Sequence, residues 1–258
     1  SIIALSENTF VDAELEQHTS SSTVTSDESV KHKIGKLPVA QVSKPKVVSI
    51  ETPKLIATCK DCRYFPVSKS AVLPSSYIPA NLVATGLTGG GSLTNETSEA
   101  MRQLFAAAKT AGTDLKINSA YRSYATQTTT FDYWYQKELK KGISADLAFK
   151  NANRYSAQPG SSEHQLGTTA DVACASAGSF DLKSQCNKVA WGFLENNAHK
   201  YGFVISYPEG SESFTGYIYE PWHLRFVGKE HAQKLFDSGY TKGNKFFLQQ
   251  YLQQLKQY

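Results

Sequence analysis

The sequence changes character at Cys59, and only the residues beyond that point have the make-up of a folded domain. In residues 1–58 Phe10 is the only aromatic; Thr19 to Ser29 is rich in Ser and Thr, and Lys31 to Lys54 mixes Lys, Val and Pro. Such a stretch cannot bury enough apolar surface to offset the entropy of ordering it. It reads as a low-complexity tail or linker that holds a domain away from a surface. Val39 to Ile50 is β-prone, so a short docked segment or an extra pair of strands is the alternative. Residues 59–258 are then expected to form one domain.

Within that domain the apolar residues follow helical and strand periods in turn. Met101, Leu104, Phe105 and Ala108 predict a helix over Thr97–Ala111, which Gly112 can end. Asp114–Ala120 alternates as a strand. A second helix is expected over Ser123–Lys141, and a third is capped by Ser144 and runs to about Arg154. Ala170–Ala175 reads as a short strand and Lys188–Tyr201 as a helix closed by Gly202. Phe203–Tyr207 and Tyr217–Phe226 read as strands, and Glu230–Ser238 and Lys242–Lys256 as closing helices. Helices early and strands late predict an α+β fold, a small antiparallel sheet flanked by helices.

The formal net charge is +4, without the clustered Lys and Arg stripes of a nucleic-acid binder, so no nucleic-acid partner is expected. No stretch approaches the ~20 apolar residues that span a bilayer. Ser1 to Leu5 are too few for a signal peptide and the chain starts without Met, so an export segment is expected upstream. The cysteines are Cys59, Cys62, Cys174 and Cys186. An even, low count suits disulfides in an oxidising compartment, with Cys59–Cys62 and Cys174–Cys186 the favoured pairs. A four-cysteine structural zinc site is the rival, because Cys59 and Cys62 have ligand-like spacing. A redox role for that pair is remote, since no thioredoxin-like βαβ pattern surrounds it.

Reactive polar residues interrupt the apolar pattern in three stretches: Ser119–Gln127, Pro159–Asp171 and Glu220–Gly228. His164 lies in a Gly/Ser-rich loop, and Asp171 opens an apolar strand, where a carboxylate is costly unless paired or metal-bound. His223 follows Glu220 by three positions, which on a regular strand would put them on opposite faces. Pro221 permits a bend that brings them together. Singly, each is as well explained as an ordinary buried or ion-paired residue. Together, His164, Asp171 and His223 supply three ligands and leave a fourth zinc position open, the pattern of a catalytic site. Glu220 is then the candidate general base; Glu163 is the competitor, expected to point away. Arg122, after a strand, can clamp a carboxylate or steady an oxyanion, and Gln127 and Ser162 can add hydrogen bonds to the same group.

These stretches resemble the VanY-type family of zinc D,D-carboxypeptidases and the related L,D-carboxypeptidases of bacterial cell-wall metabolism. Ser162, His164 and Asp171 match its SxHx(6)D pattern, and Glu220 and His223 its ExxH pattern within EPWH. The SAYRS run with Gln127 matches its substrate-binding segment. The similarity covers roughly Tyr77 to Phe236. One departure is Thr169, where the family usually has Ala. The resemblance implies a zinc peptidase fold with Zn2+ on His164, Asp171 and His223. It makes Glu220 and Arg122 catalytic and Arg122, Gln127 and Ser162 substrate-binding. The implied reaction removes a C-terminal D-alanine from peptidoglycan stem peptides, across a D,D or an L,D bond. The expected setting is extracytoplasmic, with tethering to membrane or wall through the tail, as a monomer. A cell-wall endopeptidase on the same scaffold and a non-catalytic wall-binding module are the alternatives.

Overall fold

A four-stranded antiparallel sheet organises the molecule. The computed structural model describes residues 54–55, 59, 61–178, 180–242 and 247–255. Two small ribbons come first: β1 (Lys54–Leu55) pairs in parallel with β2 (Ala71–Val72), and β3 (Leu82–Ala84) pairs antiparallel with β4 (Ser92–Thr94). Next come α1 (Asn95–Thr110), β5 (Leu115–Ser119), α2 (Tyr124–Leu139), α3 (Ala145–Tyr155), β6 (Thr169–Cys174) and α4 (Gln185–Asn197). The chain closes with β7 (Phe203–Ile205), α5 (Glu212–Thr215), β8 (His223–Phe226), α6 (Lys229–Asp237) and α7 (Leu248–Leu255). The main sheet has the order β5-β6-β8-β7, all antiparallel. This is the expected α+β arrangement.

One face of the sheet carries the larger core. Met101, Leu104, Phe105 and Ala108 of α1 pack with Leu115 and Ile117 of β5, Val172 of β6 and Trp191 and Leu194 of α4. Side chains such as these each stabilise by about 1.5–3 kcal/mol when fully buried. A second cluster joins Val204 and Val227 to Leu235 of α6 and Leu248 and Leu252 of α7. Ser123 and Ser144 cap α2 and α3 by accepting hydrogen bonds from the Thr126 and Leu147 amides.

The cysteines form the two favoured disulfides, Cys59–Cys62 and Cys174–Cys186, with Cα–Cα distances of 5.1 and 5.7 Å. A four-cysteine metal site is thereby ruled out. The strand read over Tyr217–Phe226 is regular only from His223, because Pro221 cannot donate to a ladder and the chain turns there. The described part of the last helix is Leu248–Leu255; residues 243–246 and 256 of the expected helix lie outside the described residues. The ribbons β1–β2 and β3–β4 escape a sequence reading because two or three residues are too few to show an alternation. The tail reading for residues 1–58 falls almost wholly outside the described residues; Lys54 and Leu55 lie against β2.

Candidate metal centre and active site

Three neighbouring strands line up the heart of the site. Asp171 on β6 sits opposite Ser119 on β5 and opposite His223 on β8. His164 comes from a short 3-10 turn, Glu163–Leu166, which Gly167 ends at φ 68° just before β6. The left-handed conformation turns the chain into the strand at a position that suits glycine. One ligand atom each from His164, Asp171 and His223 lies within 4.8 Å of the others, and all three residues are buried.

The hydrogen bonds show which ring atoms face inward. His164 Nδ1 is 2.6 Å from the Ala120 carbonyl oxygen, which can only accept, so Nδ1 carries the proton. The neutral ring then presents a lone pair at Nε2, which makes no hydrogen bond although Asp171 Oδ2 is 3.2 Å away. His223 Nε2 is 3.1 Å from Glu163 Oε2, and its Nδ1 is 3.1 Å from Asp171 Oδ1 and 3.5 Å from Glu220 Oε2. Without an ion, both His223 nitrogens face carboxylates and carry protons, and Nδ1, beside Asp171, is the one placed to give up its proton to a bound ion. The His164 lone pair, 3.2 Å from Asp171 Oδ2, repels that carboxylate unless a cation sits between them. Two imidazole nitrogens and a carboxylate form a donor set that suits zinc.

The charges act in the same sense. Burial works against a charged His223, yet its hydrogen bonds to Asp171 and Glu163 win and push it up to about 10. His164 is held down to about 4 by burial and by the Arg122 guanidinium. Burial would raise Asp171, but both histidines hold it well below the usual carboxylate range. The site attracts positive charge and keeps its carboxylate ionised.

Glu220 and His223 converge because the chain turns between them: the His223 amide donates to the Glu220 carbonyl at 3.1 Å, across Pro221 and Trp222. Burial pushes the Glu220 carboxyl up to about 8. Arg122 reaches the same site. Its Nε donates to Gln127 Oε1 at 3.0 Å and its Nη1 to Ser119 Oγ at 2.8 Å, with Nη1 3.6 Å from Asp171 Oδ2. Nη2 takes no part in these bonds. Gln127 is fully buried and also donates to the Ala157 carbonyl at 2.7 Å, so in this structure it holds Arg122 in place. Ser162 is buried at the start of the 3-10 turn, and its hydroxyl is not used as a cap.

Glu163 does not point away. It is buried against the site: Oε2 meets His223 and accepts from Ser206 Oγ at 2.6 Å, and Oε1 accepts from Arg225 Nη1 at 2.8 Å. Burial would raise its carboxyl, but Arg225 and His223 outweigh that and hold it at about 2. Arg225 is fully buried on β8 and is not among the residues singled out from the sequence. Its signal in the sequence is a lone cation between the apolar residues Leu224 and Phe226. Such a cation demands a buried partner.

A buried two-histidine, one-carboxylate centre on an antiparallel sheet, with a spare carboxylate and an arginine beside it, defines a class of metallopeptidase. Residues 90–229 match the family model VanY: D-alanyl-D-alanine carboxypeptidase. The YodJ protein of Bacillus subtilis (strain 168) is 35% identical over 198 residues, covering 74% of this chain and 67% of that one. Among solved structures, a mutant of the vancomycin resistance D,D-pentapeptidase VanY from the VanB-type cassette, in complex with Zn(II), superposes with a TM-score of 0.60 at 30% identity. It covers 68% of this chain and 95% of its own. The LdcB LD-carboxypeptidase gives a TM-score of 0.62 at 28% identity, covering 81% of this chain and 93% of its own. The chain belongs to the VanY D-alanyl-D-alanine carboxypeptidase family and is a carboxypeptidase of that class.

Proposed function

We propose that this protein removes the C-terminal D-alanine from peptidoglycan stem peptides, those ending in D-Ala-D-Ala or those ending in a single D-Ala. His164 through Nε2, Asp171 through its carboxylate and His223 through Nδ1 would hold a divalent ion, with zinc as the best fit. Bound there, the ion polarises the scissile carbonyl and lowers the pKa of a water from ~16 to ~7. Glu220 accepts the proton of the attacking water and later delivers it to the departing amine. Burial pushes its carboxyl up when no ion is bound, and a neighbouring dication would bring it back down toward the range of a general base near neutral pH. Arg122, fixed by Gln127 and Ser119, offers Nη2 to the substrate carboxylate or to the oxyanion. Ser162 is placed to hydrogen-bond the same group. The two disulfides support work outside the cytoplasm, where such bonds persist.

The observation that carries this reading is the placement of Glu220, 3.5 Å from a ligand nitrogen yet outside the ligand set. The test is to incubate the zinc-loaded protein with pentapeptide and tetrapeptide stems and measure free D-alanine. Release from at least one stem, abolished in Glu220→Ala with zinc content retained, is the expected result. No release from either by the zinc-loaded protein, or full activity in Glu220→Ala, would overturn it. Dipeptides or muropeptide fragments released from cross-linked wall would mark an endopeptidase instead. A purified protein that binds no zinc would mark a wall-binding module.

A further inference from the structure

We propose that Glu163 is a positioning residue for His223, clamped in turn by Arg225 and Ser206, and that this relay sets how tightly the centre holds its metal. The inference rests on the metal reading above and adds to it a residue with no part in binding or proton transfer. The Glu163 side chain is fully enclosed, as is that of Arg225. One carboxylate oxygen is pinned by Arg225 Nη1 at 2.8 Å. The other accepts from Ser206 Oγ at 2.6 Å and faces His223 Nε2 at 3.1 Å. Arg225 is itself fixed, because its Nη2 donates to the Arg63 and Phe65 carbonyls at 2.8 and 2.9 Å. The carboxylate therefore has no freedom to turn away.

An ionised carboxylate accepts hydrogen bonds only, so the His223 nitrogen that faces it must carry a proton. With Nε2–H fixed on Glu163, Nδ1, 3.1 Å from Asp171 Oδ1, is the nitrogen that would present a lone pair to a bound ion. The other tautomer would set a lone pair against the Glu163 oxygen, and a flipped ring would replace the Nε2 donor with a carbon. The Tyr207 ring, 4.7 Å from the His223 ring, limits rotation further. His164 is oriented by the Ala120 backbone carbonyl instead, so only the His223 arm depends on a side chain. A carboxylate behind a metal-bound imidazole also makes the ring a better donor. Loss of such a partner typically costs about 10- to 100-fold in metal affinity.

The decisive measurement is zinc affinity by competition with a chromophoric chelator. In Glu163→Gln the amide cannot accept from both Arg225 and His223, so affinity should fall by about 10- to 100-fold. Because that variant leaves Arg225 without its ion pair, a paired variant, Glu163→Leu with Arg225→Met, removes both buried charges. It should fold, as circular dichroism of the metal-free form reports, and still bind zinc more weakly. The cobalt-substituted form should show a shifted visible spectrum. In the unaltered zinc-loaded protein, long-range 1H–15N correlation should show His223 protonated at Nε2 and metal-bound at Nδ1. Unchanged affinity in a folded variant, or metal on Nε2 of His223, overturns the inference alone. Wild-type protein that takes up no zinc overturns the metal reading first. If neither variant folds, the spectrum of the unaltered protein decides.

Discussion

Asp171 shows what one buried carboxylate discloses. In the apolar run Thr169–Cys174 it has no local reason to be there, and burial of an unpaired charge is prohibitive. The histidines and Arg122 supply the compensation. The same logic makes His164, His223, Glu220 and Arg122 legible, since each breaks an apolar or turn-like pattern. The pairing of Glu163 with Arg225 is not legible, because they compensate each other across 62 residues and only folding joins them. Gln127 stands out near Arg122 in the sequence, but its place behind the guanidinium does not. Glu220→Gln should lower kcat by about 100- to 10,000-fold, the usual worth of a general acid–base, with zinc stoichiometry unchanged. Gln127→Ala should raise KM with metal affinity intact, because Arg122 loses its Nε anchor; stem-peptide kinetics and chelator competition together check this.

Among the elements, the longer helices are legible to within a few residues, since capping and periodicity are local, whereas the four-residue α5 is too short to show a period. Ser144 caps α3 as expected. The strand before His223 is not, because β-prone residues between Tyr217 and Tyr219 are drawn into irregular chain by the turn at Pro221. The α2–α3 hairpin contains a testable element. Glu138 is buried and accepts from Lys141 Nζ at 2.6 Å, Tyr155 Oη at 2.7 Å and Asn151 Nδ2 at 2.9 Å. Burial alone would raise its carboxyl, but these hydrogen bonds hold it below the ordinary value. A depressed carboxyl stabilises the fold above the unfolded-state pKa of about 4.3, and that contribution is lost as pH falls through the folded value. The wild-type melting temperature should therefore drop more steeply below about pH 4 than that of Glu138→Gln. Gly91 has φ 86°, and a Cβ there would lie 2.6 Å from the Ala120 Cβ. Gly91→Ala should cost about 1–3 kcal/mol in denaturant unfolding, and should weaken zinc binding because the Ala120 carbonyl orients His164.

At the scale of the molecule, the centre ties β6, β8 and the turn before β6 into one unit. A ligand at about 100 times its Kd adds about 2.7 kcal/mol to stability. Removing zinc with a chelator should therefore lower the melting temperature by roughly 5–10 °C, measurable by scanning calorimetry, and added zinc should restore it. Read alone, the sequence settles the α+β class, the positions of the longer helices and the chemical types gathered at the centre, and it favours the cysteine pairs without excluding their rivals. Those come from local periods, short loops and the cost of burying unpaired charge, all of which one stretch of chain can express. Only the tertiary structure decided which nitrogen of each histidine faces inward, how Arg122 is braced and that Glu163 stands behind His223. These depend on contacts between residues far apart in the chain, and hydrogen-bond direction exists only once both partners have been brought into place.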